Sequence, residues 1–116
     1  MNYNTLDPDQ CEFVVIADQG DIPNGERLFV EIDGDAIVVF NIGGTFFAIA
    51  DVCSHDDGPL GDGEIDGHEV SCPRHGARFD VRTGETTRYP AVESIDAYPT
   101  RVNADGEIEL GLPLEA

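Results

Sequence analysis

Lysine is missing from this chain altogether, so its cations are six arginines set against 24 aspartates and glutamates, a formal net charge of −18. Such a field repels phosphate backbones and anionic lipid, which removes nucleic acid and membrane surfaces from the expected ligands. A protein partner with a basic docking face suits it better, although solubility or a high-salt habitat would select the same balance. Long apolar runs are missing too. The longest stretch without a charge, Ala36 to Ala50, is fifteen residues broken by Gly43 and Gly44, short of the roughly 20 a membrane helix needs. Met1 to Gln10 holds two aspartates, no cation and no apolar stretch. That is not the layout of a secretory signal, and the chain is expected to be cytoplasmic. Nor is there an even set of cysteines: Cys11, Cys53 and Cys72 argue for thiols or metal ligands rather than a disulfide framework.

A sustained 3.6-residue apolar period is absent as well, and 13 glycines with 7 prolines punctuate the chain too often for long helices. Short apolar or alternating runs recur instead at Glu12–Ala17, Leu28–Asp33, Ala36–Ile42, Thr45–Asp51, Ala77–Arg82, Val92–Val102 and Glu107–Leu112. Asp33-Gly34-Asp35, Gly43-Gly44 and Asp105-Gly106 sit between runs at hairpin spacing, which predicts a mostly β, antiparallel meander. With 116 residues, 41% apolar and 26% charged, one globular domain over 1–116 is expected. Residues 52–90 break the rhythm: this stretch is rich in Gly, Asp and Arg, holds all three histidines, and reads as a loop-like insertion carrying the site.

Within it, Cys53-Ser54-His55 and Cys72-Pro73-Arg74-His75 are two Cys-then-His pairs, sixteen residues apart from His55 to Cys72. Two such pairs in Gly- and Pro-bearing loops are hard to explain by packing. A structural zinc would accept the donors, although zinc motifs more often pair Cys with Cys and His with His. If the loops face each other, the sulfurs can meet on one iron and the imidazoles on a second, the asymmetric ligation of a Rieske 2Fe-2S centre. Ser54-His55-Asp56 does not make a triad, because adjacent residues rarely converge on one point.

These residues resemble the Rieske-type ferredoxins from about Glu12 to Leu112. The family's Cys-x-His, spacer, Cys-x-x-His-Gly, Phe, Thr-Gly and proline loop are met by Cys53, His55, Cys72, His75, Gly76, Phe79, Thr83, Gly84 and Pro90. The resemblance implies an all-β, small antiparallel β-sandwich-like fold with one 2Fe-2S cluster at a loop-rich tip under the proline loop. It implies Cys53 and Cys72 on the inner iron, and His55 and His75 on the outer one. It further implies a soluble one-electron carrier between an NAD(P)H-dependent flavin reductase and a terminal oxygenase. The alternative is a small Rieske-like subunit of an NAD(P)H nitrite reductase.

Departures from the quinol-oxidising branch are informative. That branch adds a cysteine to each loop, and Gly58 and Arg74 stand in the corresponding places. It also places a serine and a tyrosine, which hydrogen-bond cluster and ligand sulfurs, where Ala77 and Phe79 stand here. A hydroxyl donated to sulfur favours the reduced cluster, so its absence places the potential near the low end of the range of about −150 to +300 mV. The charge adds in the same direction, since one electron takes a formally neutral centre to −1 inside a −18 chain. Arg74, Arg78, Arg82 and Arg88, against six acids and no arginine between His55 and Cys72, suggest a tip with one acidic and one basic lip, Arg74 being the best functional candidate, while the favoured expectation is that these arginines pair with neighbouring carboxylates and do nothing more. His68 is expected to be solvated on a hairpin. It is the only histidine left, so the second, mononuclear iron of an oxygenase large subunit cannot be built. Cys11 is expected to be a plain thiol beside the first strand, and the chain to be a monomer.

Overall fold

A computed structural model describes residues 7–53, 58–73, 76–88 and 93–114. Eleven strands are found among them: β1 (Cys11–Asp18), β2 (Arg27–Ile32), β3 (Asp35–Ile42), β4 (Thr45–Ala50), β5 (Ile65–Asp66), β6 (Glu69–Ser71), β7 (Arg78–Asp80), β8 (Thr86–Arg88), β9 (Ala97–Tyr98), β10 (Thr100–Val102) and β11 (Glu107–Pro113). They form three sheets, β1-β11-β10, β2-β3-β4-β9 and β5-β6-β7-β8, and the ladders pair antiparallel. The fold is all-β, as expected.

The β2-β3-β4-β9 sheet is central, because successive residues of its strands feed two different cores. Ile37, Val39, Phe46, Ala48 and Tyr98 pack with Ile22, Ile108 and Leu110 on one side. Val38, Phe40, Ile49 and Ala97 pack with Cys53, Leu60, Val70, Cys72 and Phe79 on the other. Five consecutive residues of β3, Ile37 to Asn41, are therefore buried. Two-sided burial explains why Ala36 to Ala50 carries no charge: each apolar side chain removed from water stabilises the fold by about 1.5–3 kcal/mol, whichever face it takes. The hairpins at Asp33-Gly34 and Gly43-Gly44 join β2, β3 and β4 as predicted. The meander holds within β2-β3-β4 and again within β5-β6-β7-β8, and fails between them, since β4 pairs next with β9 and β1 pairs with β11.

Residues 52–90 differ from the loop-like insertion expected, because β5, β6, β7 and β8 make a sheet of their own. Its strands have two or three residues each, too short to show a period of two. No helix among the described residues is long and apolar enough to cross a membrane.

The described ion pairs use few of the carboxylates: Arg78 with Asp66 and Glu69, Arg82 with Asp80, Arg101 with Glu109. Like charges also face each other across ladders, Asp18 opposite Glu107 and Asp66 opposite Glu69. Screening shortens from about 8 Å at 0.15 M salt to about 3 Å at 1 M. Melting temperature is therefore expected to rise between these concentrations by more than about 5 °C in NaCl and KCl alike. A flat profile in a thermal scan would show that carboxylate repulsion does not limit this fold.

Candidate metal centre

The first Cys–His loop leaves the central sheet at the end of β4. Cys53 is fully buried, and its N–H donates to the Gly58 carbonyl at 2.8 Å, drawing the loop closed. Cys72 follows β6 and is 2% exposed. Its N–H donates to the Ala77 carbonyl at 2.6 Å and its carbonyl accepts from Gly76 N–H at 3.0 Å, so the second loop closes on Cys72 itself. Gly76 has φ +75°, while a Cβ there would meet nothing within 4 Å. The motif's glycine is thus needed for its backbone conformation and not for space.

Both cysteines lie in one core cluster with Leu60, Val70, Ala77, Phe79, Val81 and Ile95. Eighteen residues separate the two cysteines in the sequence, and the fold brings them into that common cluster. None of the three cysteines is in a disulfide. His55, His75, Arg74 and Pro90 lie outside the described residues. Among the described residues no group of three or more His, Cys, Asp or Glu could hold a metal ion. The sulfur half of the donor set fits a soft metal centre, since two thiols delivered by separate loops into an otherwise apolar cluster suit thiolate ligation.

The Thr-Gly pair anchors both ends of the segment that contains Pro90. Gly84 N–H donates to the Asp80 carbonyl at 2.7 Å, and the Gly84 carbonyl accepts from buried Ile95 N–H at 2.8 Å, where the chain returns. Gly84 has φ +77°, and a Cβ there would fall 1.9 Å from the Ile95 carbonyl oxygen. Gly84→Ala is expected to lower the melting temperature by on the order of 10 °C, from strain and a backbone clash together. Gly67→Asn, at φ +62° with open space around it, should melt close to the unsubstituted protein. Equal melting of the two variants would show that the approach of Gly84 to Ile95 tolerates a Cβ.

Other expectations need correcting. His68 does sit in the β5–β6 hairpin, but it is half-buried with its ring edge-on to Phe47 at 5.5 Å. It is therefore packed rather than simply solvated. The polarised tip gives way, where it is described, to the pairing that was the favoured expectation: Arg78 reaches Asp66 and Glu69 at 3.3 Å, two of the carboxylates of the acidic lip, and Arg82 reaches Asp80 at 2.8 Å. Arg82 holds the Asp80 carboxyl below its ordinary range. The Arg88 side chain lies outside the described set. Cys11 is buried as the first residue of β1, and burial followed by the Asp7 carboxylate pushes its thiol up, which keeps it protonated and unreactive.

The chain matches the family model of the Rieske [2Fe-2S] domain over residues 12–99. It is 38% identical over 94 residues to the 3-phenylpropionate/cinnamic acid dioxygenase ferredoxin subunit of Escherichia coli (strain K12), covering 80% of this chain and 87% of that one. The ferredoxin of carbazole 1,9a-dioxygenase from Nocardioides aromaticivorans IC177 superposes with a TM-score of 0.80 at 35% identity, covering 88% of this chain and 98% of that one. A solved complex of reduced oxygenase and oxidised ferredoxin in carbazole 1,9a-dioxygenase contains a chain similar at TM-score 0.81 and 26% identity, covering 90% and 96%. Two buried cysteines on separate loops that share one core cluster, an all-β frame of three sheets and a family match across most of the sequence lead to one conclusion: this chain belongs to the Rieske [2Fe-2S] domain family.

Proposed function

We propose that this protein is the electron-carrying ferredoxin of an oxygenase system, a monomer in the cytoplasm that takes single electrons from an NAD(P)H-dependent flavin reductase and delivers them to a terminal oxygenase. In this reading Cys53 and Cys72 hold the inner iron of the cluster, and His55 and His75 the outer one. The observation that carries it is the meeting of Cys53 and Cys72 in one buried, apolar cluster. When bound, the [2Fe-2S] group supplies a site that accepts and releases one electron. The chain's residues set the terms of that exchange. Leu60, Val70, Phe79 and Ile95 keep water from the cysteines, and Ala77 and Phe79 offer no hydroxyl to sulfur, which favours a low potential. The acidic surface suits brief docking on basic faces of two successive partners, where charge governs encounter more than residence. The ferredoxin relatives at 35–38% identity favour a carrier over a permanently docked nitrite reductase subunit.

An EPR-monitored redox titration tests this directly. A rhombic signal on reduction, with average g below 2 and a midpoint near the low end of the Rieske range, is the expected result. Silence in both oxidation states would point to zinc or to no centre. The same signal at a strongly positive midpoint would retain the cluster and overturn its place in an NAD(P)H-fed chain.

A further inference from the structure

Between the two cysteine loops the chain makes a tight turn, Leu60 to Gly63, closed by Gly63 N–H donating to the Leu60 carbonyl at 3.0 Å. Its polar groups are matched by opposite charges. The N–H groups of Leu60 and Gly61 donate to one carboxylate oxygen, Asp51 Oδ1, at 2.9 and 2.6 Å. The carbonyls of Gly61 and Gly63 accept from one guanidinium nitrogen, Arg27 Nη1, the latter at 2.6 Å. Hydrogen bonds to ionised partners are about twice as strong as neutral ones, so a carboxylate on the donor side and a guanidinium on the acceptor side hold the turn in one shape.

Contact reaches both cysteine segments from this turn. Asp51 lies two residues before Cys53. A Cβ on Gly63 would fall 1.6 Å from the carbonyl oxygen of Ser71, the residue before Cys72. The turn thus lies between the Asp51 side chain, just ahead of Cys53, and the Ser71 backbone, just ahead of Cys72. Arg27 ties the wedge to the core, because its guanidinium carbon sits 5.1 Å from the centroid of Phe40. That ring is 1% exposed and shares a cluster with Cys53 and Cys72.

We propose that the Leu60–Gly63 turn is the spacer that sets the separation of Cys53 and Cys72, and that Arg27 is the positioning residue that holds the spacer in shape. The inference rests on the reading of both cysteines as cluster ligands and adds a residue from a remote strand. Ligands left to drift by a few tenths of an ångström give a spread of site geometries and a more labile centre.

Arg27→Gln in the cluster-loaded protein is the test, read by the EPR line shape after reduction, by the rate of cluster loss to a chelator and by hydrogen exchange at the Leu60 and Gly61 amides. Broadened g-values, about tenfold faster cluster loss and faster exchange are expected. Arg27→Lys, which keeps a charged donor but not the fork, should fall between. Arg101→Gln is the control, since that guanidinium is also held by a hydrogen bond, to Glu109, and lies over a ring, 3.8 Å from the Phe13 centroid, but on the β1-β11-β10 sheet. An unchanged line shape and loss rate in Arg27→Gln would overturn the proposal, as would the same changes in Arg101→Gln. Should Arg27→Gln fail to accumulate, Arg27→Lys decides: displacement from the unsubstituted protein supports the spacer and identity with it overturns it. The unsubstituted protein's own spectrum decides the cluster reading separately. If it is silent that reading falls, and amide exchange in the turn still reports whether Arg27 holds it.

Discussion

Alanine at Cys53 or Cys72 is expected to give colourless protein with no EPR signal on reduction, while the β-sheet circular dichroism persists. The two halves of that result have separate causes. Cys53 N–H bonds to Gly58 and Cys72 N–H to Ala77, so the backbone that shapes each loop does not depend on the sulfur. Both side chains are buried in a cluster that retains Leu60, Val70, Phe79 and Val81, and trimming one sulfur from it costs about 1 kcal/mol in packing. Loss of the chromophore with the fold retained would therefore report loss of a ligand. His55→Ala and His75→Ala are expected to do the same. Cys11→Ala, on the far sheet against Pro113, and His68→Ala, in the β5–β6 hairpin, should keep full colour. A coloured Cys53→Ala would sink the ligand assignment, and a colourless His68→Ala would bring that imidazole into it.

The central hairpins and the two cysteines were legible for different reasons. β2, β3 and β4 announce themselves because their turns need positive φ, met at Asp33 (+52°), Gly34 (+85°), Gly43 (+66°) and Gly44 (+91°), and few residue types tolerate it. Cys53 and Cys72 were legible because thiols paired with histidines at short spacing have a chemistry that packing does not require. Of the third sheet only β7, inside the Ala77–Arg82 run, was legible. Ile65–Asp66 and Thr86–Arg88 are held by neighbours rather than by apolar alternation, and among the described side chains of this sheet's strands only Val70 and Phe79 reach full burial. Ala36 to Ala50 did carry a readable signal beyond excluding a membrane span, since an uncharged run interrupted by a Gly-Gly turn is what two-sided burial of a hairpin looks like. The Arg27 clamp left no mark in the sequence at all: its acceptors are carbonyls of Gly61 and Gly63, and any residue presents a carbonyl.

Ala77→Ser combined with Phe79→Tyr should raise the midpoint potential by about 100 mV, two hydroxyls each shifting it by roughly the 59 mV that a tenfold preference represents for one electron. Both positions are fully buried in the cluster that holds Cys53 and Cys72, so a hydroxyl placed there leaves water and must find an acceptor. The sulfurs of the proposed centre are the acceptors whose charge grows on reduction. A donor aimed at them binds the reduced form more strongly, and the sign of the shift follows. A hydroxyl that misses sulfur behaves differently: it remains stranded, the potential stays put, and stability falls by about 1–3 kcal/mol instead. Redox titration and chemical denaturation of the same variant therefore separate the two cases. The comparison belongs at one fixed ionic strength. The −18 charge disfavours adding an electron, and salt that screens it raises the midpoint of both proteins. A difference between the two proteins that persists in 1 M salt, where the field common to both is screened, would assign the effect to the hydroxyls.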